Sequence, residues 1–324
     1  IEQFFAGLYA HTDINFDPMS AGRQMGGHFV THSLDENFNW KDLTKQKNSS
    51  SDISPTAAQM PRLLGLAQAS KVYKNIKGFD ASKFSNQGSE VAWGTIGNAS
   101  TSEGVFFETI NAAGVLQVPM VISVWDDDYG ISVHAKHQTT KENISKILEG
   151  FQRDEEDAGY EILNVKGWDY PALVNCYEKA GQIARLEHIP VLVHVEELTQ
   201  PQGHSTSGSH ERYKKTERLQ WEKNNDCNLK FRQWIISNNI ASEDELFDIE
   251  KDIKLKVKAG KTKAWDDFIN PIKVDADYVI SLMHAAAKAS SQKSFIEKEI
   301  AKLEAMKEPI KKDILGVSRD VLKY

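Results

Sequence analysis

Apolar positions in the middle of the chain fall into short runs separated by stretches of small residues, and this alternation predicts most of the architecture. Val91–Gly97 reads as a strand closed by the turn-prone group Gly-Asn-Ala-Ser, and Val105–Leu116 as a small-residue helix stopped by Pro119. Met120–Trp125 is a nearly continuous apolar run, as expected of a strand covered on both faces. A linking helix is predicted near Thr140–Asp157, a third strand over Glu161–Val165, a helix near Ala172–Leu186 and a fourth strand over Pro190–Val195. Strands alternating with helices at this spacing mean βαβ units and right-handed crossovers. The expected class is α/β, a doubly wound parallel sheet with helices on both faces.

The flanks are less regular. The polar run Lys45–Ser54 reads as a solvated loop that ends at Pro55, and recurring apolar residues (Ala57, Met60, Leu63, Leu64, Ala67) predict a buried helix over Thr56–Lys71. Beyond Gln200 a polar loop, Gly203–Ser209, precedes highly charged helical sequence at Glu211–Asn238 and Glu243–Lys258. Residues 274–324 read as an amphipathic helix with a Lys/Glu-rich extension, and their bland reading is a solvated helix or linker. The expected division is a main domain over 1–270 and a helical, charged extension over 271–324.

Composition narrows the function. With 324 residues, one large α/β domain or two ordinary ones fit. A net charge of −7 without a long basic stripe argues against nucleic acid as a partner. No window approaches ~18 uninterrupted apolar residues, so no membrane span is expected. The two cysteines, Cys176 and Cys227, form no CxxC, which argues against a disulfide framework or zinc site and leads to the expectation of a cytoplasmic protein. The chain opens at Ile1 without a start methionine or signal-like stretch, and is expected to be a fragment or a trimmed chain.

In an open parallel sheet, ligands bind beyond the carboxyl ends of strands. Asn98 follows the first predicted strand and Asp126-Asp127-Asp128 the second, one strand–helix–strand excursion apart. An amide oxygen and a carboxylate on adjacent strand ends suit magnesium, which keeps waters and substrate phosphates in its shell. Thr101, Ser102 and the amides that open the next helix would receive phosphate. The plainer alternatives are that the three aspartates form a hydrated loop, that Asn98 caps a helical turn, and that Glu103 is a helix-start acid favoured by the dipole. GxxxxGK[ST], GxGxxG and GxSxG are absent, which disfavours P-loop, nicotinamide and simple hydrolase chemistry. His204-Ser205 are sequence neighbours and make a poor nucleophile–base pair; His204 also reads as an ordinary member of a mobile polar loop.

These residues bring a family into view. Gly97-Asn98-Ala99-Ser100-Thr101-Ser102-Glu103-Gly104, with Glu108, Asn111, Pro119 and the Asp126–Ser132 turn, resembles the cofactor motif of thiamine diphosphate-dependent 2-oxoacid dehydrogenases, in the alpha subunit of their first component. Gly22-Arg23-Gln24-Met25 through His28, Ser54–Pro61 (in its branched-chain form) and Gly203–Ser207, followed by Arg212-Tyr213, resemble three further family segments in the right order. The resemblance covers roughly residues 1–270 and implies a thiamine diphosphate-binding fold. It implies that Asn98, Asp127 and the Tyr129 carbonyl hold Mg2+, and that Ser54 and Thr56 meet the aminopyrimidine. Gly97, Ser100, Thr101 and Ile131 would line the cofactor, and His204 would reach the diphosphate and serve catalysis. The implied reaction is decarboxylation of a 2-oxoacid and transfer of the acyl group to a lipoyl-bearing acyltransferase component. The activating glutamate comes from a beta subunit or fused beta half, so the chain is expected to be incomplete as a catalyst and to form oligomers.

Several positions depart from the pattern. The family usually has an acid where Asn98 stands and an amide where Asp127 stands, so the two types are exchanged and one carboxylate remains. Ala99 replaces a motif glycine, and Trp125 and Gln200 stand where relatives often have diphosphate-binding arginines. Each lost charge-assisted bond costs ~1.5–3 kcal/mol unless another cation replaces it. The alternatives kept open are a transketolase-like or acetoin-type thiamine enzyme, and a non-catalytic scaffold or regulatory subunit that kept the fold. Ser205 and Ser207 match a region that some relatives phosphorylate, but regulation there is not expected.

Overall fold

Four parallel strands form the sheet of the computed structural model, which describes residues 1–23, 30–51, 53, 55–204 and 210–323. They are β1 (Ala92–Gly97), β2 (Met120–Trp125), β3 (Glu161–Lys166) and β4 (Val191–Glu196), in the order β1-β2-β4-β3. The chain divides into two compact units, Val30–Glu243 and Ile1–Phe29 with Asp244–Tyr324.

In the first unit the strand faces alternate as the pleat requires. Met120, Ile122 and Val124 of β2 pack with Met60, Leu63 and Ala67 of α2 (Met60–Asn75) and with Phe106, Ile110 and Ala113 of α3 (Gly104–Leu116); the short α1 (Glu2–Leu8) belongs to the other unit. Val121 joins Val191, Val193 and Val195 of β4 on the opposite face, under Ala180, Ile183 and Ala184 of α4 (Tyr170–Glu187). Asp169 caps α4 by accepting from the Ala172 N–H, with a proline in the first turn. The near-continuous apolar strands are thus those of a sheet with helices on both sides, the predicted class.

The linking helix expected near Thr140–Asp157 does not form. Lys141 and Glu142 adopt left-handed backbone, with φ of 60° and 56°, and interrupt any continuous helix there. The Asn143 side chain then caps a single turn, Ile144–Ile147, by accepting from the Lys146 N–H. The β-branched pair and Gly150 supply little helix propensity to extend it. Asp154 turns the chain again by accepting from the Glu156 and Asp157 N–H groups. Charged sequence after the polar loop forms α5 (Thr216–Asn224) and α6 (Cys227–Ser237).

The second unit is helical. Its α7 runs unbroken from Glu243 to Ala289, through residue 270 and Pro271, and is followed by α8 (Lys293–Glu304) and α9 (Lys311–Val321). The tail packs on itself, where the sequence suggested a solvated helix or linker: Ile272, Ala276, Met283 and Ala287 share a core with Ile296, Ile300, Leu303, Ile314 and Val317. Pro271 lacks the N–H that would bond to the Asp267 carbonyl four residues earlier. The buried His11 ring takes that place, with Nε2 3.3 Å from Asp267 O, while its Nδ1 accepts from the Asp13 N–H. This arrangement assigns the proton to Nε2. His11→Phe is expected to destabilise the unit by about 1–3 kcal/mol by leaving the carbonyl unpaired. A shift of the urea midpoint checks it, and an unchanged midpoint would show that water serves the carbonyl as well.

Candidate functional site

The register pairs Gly97 with Trp125, and the Asn98 N–H donates to the Trp125 carbonyl at 3.1 Å. The ends of β1 and β2 are therefore tied, and Asn98 and the aspartate turn leave the sheet side by side. Asn98 is buried, yet its side-chain amide makes no hydrogen bond among the described residues. It does not cap the following turn; Thr101 closes that turn, its N–H and hydroxyl both donating to the Asn98 carbonyl at 3.2 and 2.6 Å. The Thr101 hydroxyl is thus engaged in bracing, while Ser100 stays partly accessible beside the bare Gly97.

The three aspartates separate into three roles. Asp126 is structural: Oδ2 meets Nε2 of the fully buried His194 at 2.9 Å, and Oδ1 accepts from the Asp128 N–H. His194 is held on its other side by Ser145, which Asn164 also contacts. Asp128 takes left-handed backbone, φ 68°, as short polar residues tolerate, and pairs with Arg218. Asp127 lies between them, buried, with Oδ1 accepting from the Tyr129 N–H at 3.2 Å and its second oxygen bonded to nothing among the described residues. Burial pushes its carboxyl above the ordinary aspartate range, and Asp126 adds to the push; the Tyr129 N–H, Lys214 and Arg218 oppose it.

Among the described residues, no group of three or more His, Cys, Asp or Glu side chains can hold a metal ion. The donors expected at this turn, the Asp127 carboxylate, the Asn98 carboxamide and the Tyr129 carbonyl, would leave coordination positions for ligand oxygens. Magnesium bound together with phosphate needs that arrangement.

Ala99 is accommodated by a neighbouring glycine. A Cβ on Gly130 would lie 2.6 Å from the Ala99 Cβ and 2.5 Å from the Gln138 side-chain amide. Gly130→Ala is expected to cost about 1–3 kcal/mol by overpacking, and Ala99→Gly on the same chain to recover part of it. Thermal melts of the two single variants and the double variant check this; strict additivity would contradict the contact.

Sequence reasoning missed the cations that surround this turn. Arg218 on α5 reaches the Asp127 carbonyl with Nη2 at 2.9 Å, and its Nε donates to Glu222 at 2.8 Å. Lys214 donates to the same Glu222 at 2.7 Å and lies 4.9 Å from the Tyr129 ring centroid. Lys214 and Glu222 are both buried. The Arg–Lys-rich stretch after Tyr213 was the available signal, but nothing in its spacing points back to a turn some ninety residues earlier. Trp125 is half-exposed and its indole N–H donates to Ser123; Gln200 is exposed in a turn. Neither supplies a cation.

The remaining expected site residues are spread around this turn. Tyr129 and Gly130 pair with His134 and Val133 in a two-residue hairpin, which leaves Ile131 exposed with φ 58°. Glu103 sits exposed at the start of α3 without a side-chain capping bond. His204 is exposed, and its backbone N–H meets the Tyr213 hydroxyl, whose ring lies 5.8 Å from that of Tyr129. Gly203 takes φ 67° there, and a Cβ would approach the Tyr213 hydroxyl to 2.7 Å. Thr56 is exposed ahead of α2, and the nearby Gln59 Oε1 is buried with no hydrogen-bond donor among the described residues. Ser54, the segment Gln24–His28, and Ser205 and Ser207 lie outside the described residues.

A family model described as "Dehydrogenase E1 component" matches residues 21–290. The chain belongs to this family. It is 27% identical over 226 residues to the 2-oxoisovalerate dehydrogenase subunit alpha 1, mitochondrial, of Arabidopsis thaliana, covering 69% of this chain and 40% of that protein. It is 30% identical over 163 residues to the pyruvate dehydrogenase E1 component subunit alpha of Porphyra purpurea, covering 50% and 44%. To the 2-oxoisovalerate dehydrogenase subunit alpha of Bacillus subtilis it is 25% identical over 255 residues, covering 78% and 66%. The chain spans less than half the length of the first two of these relatives. Dehydrogenase E1 membership agrees with the α/β sheet.

Proposed function

We propose that the chain is the alpha portion of a 2-oxoacid dehydrogenase that uses thiamine diphosphate and magnesium, decarboxylates a 2-oxoacid and passes the acyl group to a lipoyl-bearing partner. The observation that carries this reading is the buried Asn98 side chain without a hydrogen bond, beside an Asp127 with one oxygen unengaged. The unengaged polar atoms of the two residues are not fully enclosed, so a ligand from solvent can reach them. A divalent cation fits both groups, and it also offsets the cost of keeping Asp127 ionised in a buried turn.

Magnesium would be held by Asn98, Asp127 and the Tyr129 carbonyl. Thiamine diphosphate, when bound, supplies the electron sink for decarboxylation. This chain's residues bind and orient. Gly97 keeps the strand end free of side chain, Ser100 offers a hydroxyl, and Thr101 fixes the turn that presents Asn98. His204 would contact the diphosphate. Lys214 and Arg218 brace the turn, but Glu222 and Asp128 balance their charges, so they do not replace the arginines that Trp125 and Gln200 do not provide. The activating glutamate would come from a beta subunit or fused beta half.

The test is to purify the chain with its beta half and to measure 2-oxoacid-dependent reduction of an artificial electron acceptor. Activity that needs both halves, thiamine diphosphate and magnesium is expected, and comparing branched-chain 2-oxoacids with pyruvate then identifies the substrate. Trp125 and Gln200 favour a second reading, a scaffold that kept the fold. A complex that forms but neither turns over any 2-oxoacid nor binds the cofactor would establish that reading instead.

A further inference from the structure

The first part of α7 is exposed along its whole length. Every residue from Glu243 to Ala259 is exposed except Leu246, which is half-buried. The stretch nonetheless carries an apolar stripe, Leu246, Ile249, Ile253 and Val257, at helical spacing, flanked by the exposed Phe247 and Leu255. Most helical stability in proteins comes from burying an amphipathic face, and this face is left uncovered.

Charge divides the same stretch in two. Residues 243–252 hold six carboxylates and one lysine, and residues 254–263 hold five lysines and no acid. The helix dipole accounts for acids in the first turn, but not for a lysine block in the first half of a 47-residue helix. The pattern is a mirror about Ile253. Glu243, Glu245, Asp248, Glu250 and Asp252 reflect onto Lys263, Lys261, Lys258, Lys256 and Lys254. The stripe reflects too: Ile249 onto Val257, and Leu246 onto Gly260, beside which Ile1 lies with an exposed side chain.

We infer that this segment pairs antiparallel with the same segment of a second copy of the chain, about a twofold axis at Ile253. A twofold interface presents the same patch on both copies. Here it sets each acidic block against the partner's lysine block and each stripe against the other, whereas parallel pairing would oppose like charges. Within one chain, Lys256 pairs with Asp252 at 2.7 Å across one helical turn. Such exposed pairs contribute little and exchange readily for pairs between copies. Two helices overlapping over some twenty residues, ~30 Å, make an interface at the small end of specific ones. The association is therefore weak, dependent on concentration, and loosened by salt.

Sedimentation equilibrium of the full chain at low and high salt tests this, with two charge-reversed variants: Lys256→Glu with Lys258→Glu, and Asp248→Lys with Glu250→Lys. The parent is expected to dimerise in the micromolar range and to weaken at least tenfold at high salt. Each variant alone is expected to stay monomeric, and an equimolar mixture of the two to dimerise again. Circular dichroism verifies that both variants keep their fold. A parent that stays monomeric at low salt overturns the inference and points to another occupant of the stripe. A dimer that ignores the reversals, or a mixture that stays monomeric, also overturns it.

Discussion

Asp127→Asn is expected to abolish magnesium-dependent binding of thiamine diphosphate while leaving the ligand-free chain as stable as the parent or more stable. The two effects have one cause. Asp127 is the carboxylate of the turn without an ion-pair or histidine partner of its own, since Asp126 is held by His194 and Asp128 by Arg218. With asparagine at both positions, two neutral amides remain, and magnesium loses its one charged protein ligand. In the ligand-free chain burial raises the Asp127 pKa. A group whose folded pKa is raised binds its proton more tightly when folded, so ionising it weakens the fold as pH rises through that pKa. At neutral pH the carboxylate is therefore a cost that asparagine removes. Adding Asn98→Asp returns one carboxylate to the other strand end, in the arrangement usual among relatives, and should recover a good part of the affinity; unrelated surface effects would merely add. Calorimetric titration and thermal melts of the two variants check both halves. If Asp127→Asn binds as tightly as the parent, Asp127 is not a ligand.

Glu222→Leu is expected to cost about 3–5 kcal/mol, the range for breaking a buried ion pair from one side. It leaves the Lys214 ammonium, with 1% of its side chain exposed, without its carboxylate, and deprives Arg218 of one of two. Lys214→Met should cost less, because Glu222 keeps Arg218. Combining the two changes should recover much of the loss, since an apolar pair in that space strands no charge. Urea denaturation of the three variants measures this. Equal losses for the two single variants, with additivity in the double, would mean that the three residues do not act as a unit. The same network grips the Asp127 carbonyl through Arg218, so the less stable variants should also bind the cofactor more weakly.

The strand ends were legible because two local signals coincide at each: a short apolar run with no polar face, then a turn-prone or acidic group. That logic placed Asn98 and the Asp126–Asp128 turn at neighbouring strand ends, as the register of β1 beside β2 has them. It did not separate the three aspartates, because their roles depend on partners distant in sequence. His194 reads as one polar residue inside an apolar strand, and its bond to Asp126 arises from the register of β2 beside β4. Arg218 and Lys214 lie on charged sequence whose periodicity suggests only a solvated face. The linking helix failed for a backbone reason, two consecutive left-handed residues that their side chains do not announce. The tail looked solvated because its apolar positions are sparse on each helix, and a core appears only when α7, α8 and α9 are brought together.

The exchanged pair Asn98 and Asp127 is proposed to hold magnesium still and, through it, the cofactor. The direct measurement is calorimetric titration of the chain, purified with its beta half, with thiamine diphosphate in the presence of magnesium and again with a chelator. Saturable binding that depends on magnesium and is lost when it is removed is expected. No binding heat at any magnesium concentration, or binding that is indifferent to the metal, would contradict it.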